Sequence, residues 1–232
     1  MRSKTFIWKY CENIRNMKKI MFNETYNLTQ AVLDGTKTMT RRKFTLTLDK
    51  DVDGKLIRVY PSKVFFDNGK WLFDYDGIIY NLPKENYPRY VVGEVVAIAQ
   101  SYHNLNKSGY TSPEWLDHVC ESSAGYENKM FVRADLMPHH IRITDIKIER
   151  LQDISKEDCL KEGITFIESL SIIGYDAYFF TVKPKARQIY GNILKFFSSP
   201  QRAYADLIDK ISGRGTWKRN PWVVVYTFER VD

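Results

Sequence analysis

The chain has 232 residues, 44% of them apolar and 14% aromatic, which is enough for one large domain, or one domain with additions, around a sizeable core. No run approaches the roughly 18 apolar residues of a membrane span. Lys9 and Glu12 break up Ile7, Trp8 and Tyr10, so no signal-peptide core is expected, and Cys11, Cys120 and Cys159 are odd in number and lack metal-ligand spacing, as in a reduced, cytoplasmic protein.

The net charge is +7, but residues 1–19 set Arg2, Lys4, Lys9, Arg15, Lys18 and Lys19 against Glu12 alone; this arm supplies +5 and leaves +2 for the rest. Global charge therefore argues little for a polyanion partner, and local clusters matter more.

In chain order, residues 1–16 read as an added arm, with Phe6, Ile7, Tyr10, Cys11, Ile14 and Met17 at helical spacing. Lys19–Phe22 is a short strand candidate. Asn27 to Leu33 reads as a helix with Asn27 or Thr29 as N-cap, ended by Gly35. Lys43–Leu48 alternates Phe44, Leu46 and Leu48 with threonines, as a strand does. Residues 49–90 predict an antiparallel meander, with hairpin turns at Asp53-Gly54 and Asn68-Gly69. Val91–Ala99 is the most apolar strand. Residues 101–130 look like an insertion with a short helix at Pro113–Cys120. Phe131–Ala134 and His140–Glu149 are strands, the second bulged near Thr144-Asp145 because its isoleucines switch from odd to even positions.

Ser155 caps a helix that runs to about Glu162 and stops at Gly163, with Asp158 at the third helical position. Residues 164–200 form a second irregular insertion, rich in aromatic side chains with Lys183, Lys185 and Arg187 between them. Gln201–Ile211 is a helix with Ala203, Leu207, Ile208 and Ile211 on one face. A basic turn, Gly213–Asn220, leads into a buried strand from Pro221 to Phe228. Several short strands with few helices predict a small mixed barrel carrying helices and loops at its mouth.

The densest chemistry lies in Gly35-Thr36-Lys37-Thr38-Met39-Thr40-Arg41-Arg42, where a glycine, an amine, three hydroxyls and two guanidinium groups occupy eight residues. At a junction between helix and strand such a cluster suits a binding site. It also reads as a helix C-cap followed by cations at the negative helix end.

Four passages taken together resemble the ASCH family, whose domains share a PUA-like β-barrel. They are Gly35-x-Lys37-x-x-Thr40-x-Arg42; Tyr90-Val91-Val92-Gly93-Glu94-Val95; the run Ile143 to Ser155 followed by Glu157-Asp158 and Glu162-Gly163-Ile164; and Asn220 to Phe228. The last two are similar to the larger ASCH-like proteins of phages, prophages and gut bacteria. The resemblance covers most of residues 18–231. It implies an α+β fold, a PUA-like mixed β-barrel with flanking helices, with residues 1–17 as an extension and insertions at about 101–130 and 164–200 of an 18–232 domain. One passage departs from the larger relatives: Ala97-Ile98-Ala99-Gln100-Ser101-Tyr102 stands where they show a Trp-Val-Arg-Glu-Thr-Trp-like run, and Gln100 cannot titrate as a glutamate does.

The resemblance implies a cleft that binds RNA, a nucleotide or a modified nucleoside, with Lys37, Arg41 and Arg42 on phosphates and an aromatic such as Tyr102 or Trp217 on a base; Trp115 and Trp222 are further stacking candidates. Small bacterial members deacetylate N4-acetylcytidine, which implies an alternative: Thr40 as nucleophile, Lys37 as its base, and Glu162 orienting the amine. An ordinary lysine, with a pKa of ~10.4, is neutral in only roughly one molecule in 2,500 at pH 7, so that chemistry requires a lowered pKa. A third reading is a non-catalytic accessory of a phage or mobile element. His103, His118, His139 and His140 lack zinc spacing, and neither a metal nor another cofactor is expected.

Overall fold

The computed structural model describes residues 17–46, 48–52, 55–110, 122–170, 175–180 and 196–232. The arm 1–16, the Pro113–Cys120 helix, Trp115, His118 and the Lys183–Arg187 cations lie outside the described residues. The fold is mixed α+β. Its centre is a five-stranded sheet with the order β1 (Lys19–Ile20), β8 (Val95–Ile98), β9 (His140–Arg150), β12 (Trp222–Arg230), β2 (Met39–Lys43). β1 runs parallel to β8, and the other ladders are antiparallel.

β12 lies between β9 and β2; it is β-branched and aromatic from Trp222 to Phe228, and four consecutive residues, Val223 to Tyr226, are buried, as a strand covered on both faces allows. Against it, β9 contains the expected bulge. Thr227 pairs with Asp145 and Phe228 with Ile143, which leaves Thr144 as the extra residue. The slip lets odd-numbered Ile141 and Ile143 and even-numbered Ile148 all be buried.

Three expectations change. The strand expected at Lys43–Leu48 begins four residues earlier and lies inside the polar motif, because Met39 to Arg41 are buried against β12. In the Val91–Ala99 run only Val95–Ile98 is strand; Val91 and Val92 are 60% and 61% exposed in the turn before Gly93. Phe131–Ala134 lies among the 3-10 turns Lys129–Phe131 and Ala134–Leu136 rather than in a strand. There the carbonyls of Met130 and Val132 accept hydrogen bonds from the Lys19 ammonium, so these groups pin edge strand β1 instead of extending the sheet.

Smaller ladders surround the sheet. β3 (Leu48–Val52) pairs with β4 (Lys55–Val59), and β5 (Lys63–Asp67), β6 (Lys70–Tyr75) and β7 (Ile78–Asn81) form a meander. Its first turn uses Asn68 at φ 47° and Gly69 at φ 80°, the left-handed pair that a tight hairpin requires. Farther along the chain, β10 (Thr165–Leu170) pairs with β11 (Tyr175–Phe179).

The helices are α1 (Leu28–Leu33), α2 (Tyr102–Lys107), α3 (Lys156–Lys161), α4 (Pro200–Ser212) and α5 (Thr216–Arg219). Ser155 Oγ accepts from the Asp158 N–H at 3.0 Å, the expected cap of α3. Asn27, by contrast, sits in the left-handed region with no side-chain capping bond.

Among the described residues no ladder joins edge strands β1 and β2, so the hydrogen-bonded sheet is open. Side chains span the gap instead. Arg42 Nη2 donates to the Met21 carbonyl, the Arg42 guanidinium lies 5.4 Å from the Phe22 ring centre, and Phe22 packs on Phe228 at 5.7 Å. No helix among the described residues is long and apolar enough to cross a membrane.

Candidate functional site

The motif is delivered by a turn. Gly35, at φ 72°, ends α1, and the Lys37 N–H donates back to the Ala31 carbonyl at 2.9 Å. Thr38 is then fixed on both sides: its N–H donates to Lys161 at 3.0 Å, and its carbonyl accepts from Phe228 at 2.9 Å. This anchoring turns the Lys37 side chain inward, where it is 2% exposed.

Lys37 Nζ donates to the Met39 carbonyl, the Glu162 carbonyl and Glu162 Oε2, each at 2.7 Å. These acceptors use all three hydrogens of an ammonium. Glu162 is the C-cap of α3, and a helix C-terminus leaves carbonyls without intrahelical partners. Lys37 is therefore a helix-capping cation, as one sequence reading held, but it caps α3 rather than α1. Gly163 follows at φ 99°, a left-handed position that favours glycine, and a Cβ there would also press on Leu28 at 3.3 Å.

The second oxygen of Glu162 belongs to Arg41, at 3.2 Å from Nη1. Arg41 Nη2 also meets Glu149 at 2.7 Å and Asp158 at 3.1 Å, and its side chain has 0% exposure. Two buried cations thus share one carboxylate, and two further acids compensate the arginine. Such a network costs several kcal/mol per ion in desolvation and holds only because the partners are this close. Burial pulls the Lys37 pKa below the ordinary lysine value, and the Glu162 carboxylate partly offsets the fall. Burial works against the Arg41 charge as well, but Glu162 and Glu149 outweigh it and keep the guanidinium firmly protonated.

These groups line a pocket of about 210 Å³. Lys37, Thr40, Arg41, Arg42 and Glu162 are in its wall, with Met21 and Phe22 on one side and Tyr204, Leu207 and Ile208 of α4 on the other. Every residue implied for the hydrolytic alternative is in this wall, as are three of the five implied for ligand binding. The other two are elsewhere. Tyr102 is 3% exposed in a second core cluster with Ala97, Ala99, Leu105, Val132 and Met137, and its hydroxyl accepts from the Arg133 N–H at 3.0 Å. Trp217 stands behind the pocket, edge-on to Tyr204 at 6.3 Å, and its backbone N–H donates to Asp209 Oδ1 at 2.7 Å. Trp222 stacks under the Arg150 guanidinium at 4.3 Å. Gln100 is buried beside Met137, away from the pocket. In the basic turn, Arg219 bonds to the Arg214 carbonyl and to Thr216. Among the described residues no group of three His, Cys, Asp or Glu side chains is arranged to hold a metal.

Sequence reasoning missed Tyr204, Glu149 and Asp158. Tyr204 stands three and four residues before Leu207 and Ile208, the spacing that puts it on the same buried face. The two acids gave no local signal of their role as Arg41 partners.

The Tyr204 hydroxyl is buried and has no hydrogen-bond partner among the described residues. Burial, then Glu162, pushes its pKa well above the usual tyrosine value. Tyr204→Phe removes an unsatisfied polar atom and keeps the ring, so we expect the unliganded protein to gain about 1–3 kcal/mol and to melt a few degrees higher, roughly 2–4 °C per kcal/mol at this size. A lower melting temperature in a thermal scan would show that the hydroxyl is bonded after all.

No protein-family model, curated protein or solved structure matches the chain.

Proposed function

We propose that this chain is an ASCH-type, PUA-like domain whose pocket takes the base of a nucleotide, a modified nucleoside or an RNA residue. The observation that carries this reading is convergence: Lys37, Thr40, Arg41 and Arg42 of the motif and Glu162, 125 positions beyond Lys37, line one pocket. The side-chain bridge from Arg42 to Met21 across the open sheet edges supports a PUA-like barrel closed without a continuous ladder. At about 210 Å³ the pocket is below the roughly 300–1,000 Å³ of sites for drug-sized ligands, which suits a single ring system. Thr40, Arg42 and the Tyr204 hydroxyl, which the Lys37–Glu162–Arg41 network does not use, suit the hydrogen-bonding edge of a base.

The hydrolytic reading is favoured by one observation of its own: the Lys37–Glu162 contact of 2.7 Å in the wall that also contains Thr40. Burial lowers the Lys37 pKa, and in its deprotonated form Lys37 is the base, with Glu162 orienting the amine. Thr40 Oγ then attacks the acyl carbon of the N-acyl base while its proton passes to the Lys37 amine. The C–N bond breaks, and Lys37 returns that proton to the departing nitrogen. Water attacks the Thr40 ester with Lys37 again as base, releasing the carboxylic acid.

The test is a titration of the purified protein with N4-acetylcytidine, with product analysis by chromatography. Turnover without added metal supports hydrolysis. Binding without turnover leaves the recognition reading, and neither binding nor turnover of acylated or plain nucleosides sinks both.

A further inference from the structure

We infer that a second, adjoining pocket is an anion subsite centred on Arg42, so that the ligand carries phosphate, as a nucleotide does free or within RNA; this rests on the base-pocket reading above. The second pocket, of about 430 Å³, lies between the sheet edges and shares Met21, Arg42 and Lys43 with the first. Its charged lining is Lys19, Arg42, Lys43 and Arg89 against Glu85 alone.

Arg42 and Arg41 are neighbours with opposite circumstances. The acids Glu149, Asp158 and Glu162 are all bonded to Arg41 or Lys37. Arg42 is half-buried, and among the described residues no carboxylate lies within ion-pair distance of it. Its hydrogen bond in the structure is to the Met21 carbonyl, whereas a guanidinium has five N–H donors in a planar fork. A partly desolvated cation without a counter-ion is costly. Burial accordingly lowers the Arg42 pKa, and burial together with repulsion from Arg89 lowers that of Lys19. An anion at this point supplies the counter-charge that Arg42 lacks.

The geometry fits a nucleotide. The first pocket has room for a ring and the second for a charged, bulkier group, and Arg42 stands at their junction. A phosphate accepts two parallel bonds from a guanidinium and neutralises its charge, which an uncharged nucleoside cannot do.

The experiment is calorimetric titration of the full chain with inorganic pyrophosphate, cytidine, cytidine 5′-monophosphate and a five-residue oligoribonucleotide, beside Arg42→Gln. We expect pyrophosphate to bind and the monophosphate to bind at least about tenfold tighter than cytidine, the least that hydrogen bonds to a charged group contribute. Both effects should weaken with salt and vanish in Arg42→Gln. If circular dichroism shows Arg42→Gln unfolded, Lys43→Gln with Arg89→Gln, both at exposed positions, should reduce pyrophosphate affinity instead. A tighter oligoribonucleotide than monophosphate identifies RNA phosphates as the source; the reverse identifies a free nucleotide. Equal affinity for cytidine and its monophosphate, or no pyrophosphate binding, overturns the anion subsite. Pyrophosphate binding without any nucleoside binding overturns the base-pocket reading and leaves the anion subsite standing.

Discussion

Glu162→Gln is expected to destabilise the protein by about 3–5 kcal/mol, the cost of removing one partner from a buried ion pair, and to lower its melting temperature by on the order of 10 °C. The carboxylate is 5% exposed and lies between Lys37 at 2.7 Å and Arg41 at 3.2 Å. Glutamine keeps the shape and one acceptor but puts an NH₂ donor where a cation's hydrogens point. Lys37 is left inside the protein with two carbonyls and no counter-charge. Glu229→Gln is the control. Its pair with Arg142 spans 3.4 Å, with both side chains about half exposed, so the loss there should stay within ~1 kcal/mol. Urea unfolding of the three proteins reads the difference. Equal midpoints for Glu162→Gln and the native chain would show that the network contributes nothing to stability.

If the pocket hydrolyses an acylated base, Thr40→Val should lower kcat/KM by at least on the order of 10³-fold, as loss of a nucleophile does. Valine keeps the branched shape suited to β2, where Thr40 pairs with Tyr226, so the fold should be retained. Thr40→Ser should keep part of the activity. The pH profile carries a second mark. Lys37 acts as a base only when deprotonated, so the rate should rise with pH through its pKa. Because burial places that pKa below the usual lysine value, the limb should have its midpoint below ~10.4. Full activity in Thr40→Val, or a rate that falls as pH rises toward that limb, would dismiss Thr40 and Lys37 as the reacting groups.

What the sequence made legible follows from how local each signal was. The bulge at Thr144 was readable because Ile141, Ile143, Ile146 and Ile148 record the switch of face in the chain itself. Ser155 and Gly163 marked the ends of α3 for the same reason. Strand β2 was hidden because Thr-Arg-Arg-Lys carries no apolar alternation. Its arginine is buried by acids 108, 117 and 121 positions away, which no local pattern reveals. Glu162 entered only through the resemblance, since by itself it reads as a solvated helix-end acid. Val91-Val92 misled in the other direction, because apolar residues in an exposed turn look like strand until neighbours are known.

The ladder that holds the motif has a kinetic consequence. Among the described residues β2 is an edge strand whose sole neighbour in the sheet is β12, and Lys43 pairs with Val223 across most of the described sequence. Lys37 likewise reaches its carboxylate over 125 positions. Closing loops of that length is slow, and it gains nothing until both ends have met. Helices and hairpins can form early, but the pocket cannot exist in part. During refolding, or while the chain is being synthesised, ligand binding should therefore appear late and all at once, after most of the far-ultraviolet signal has returned.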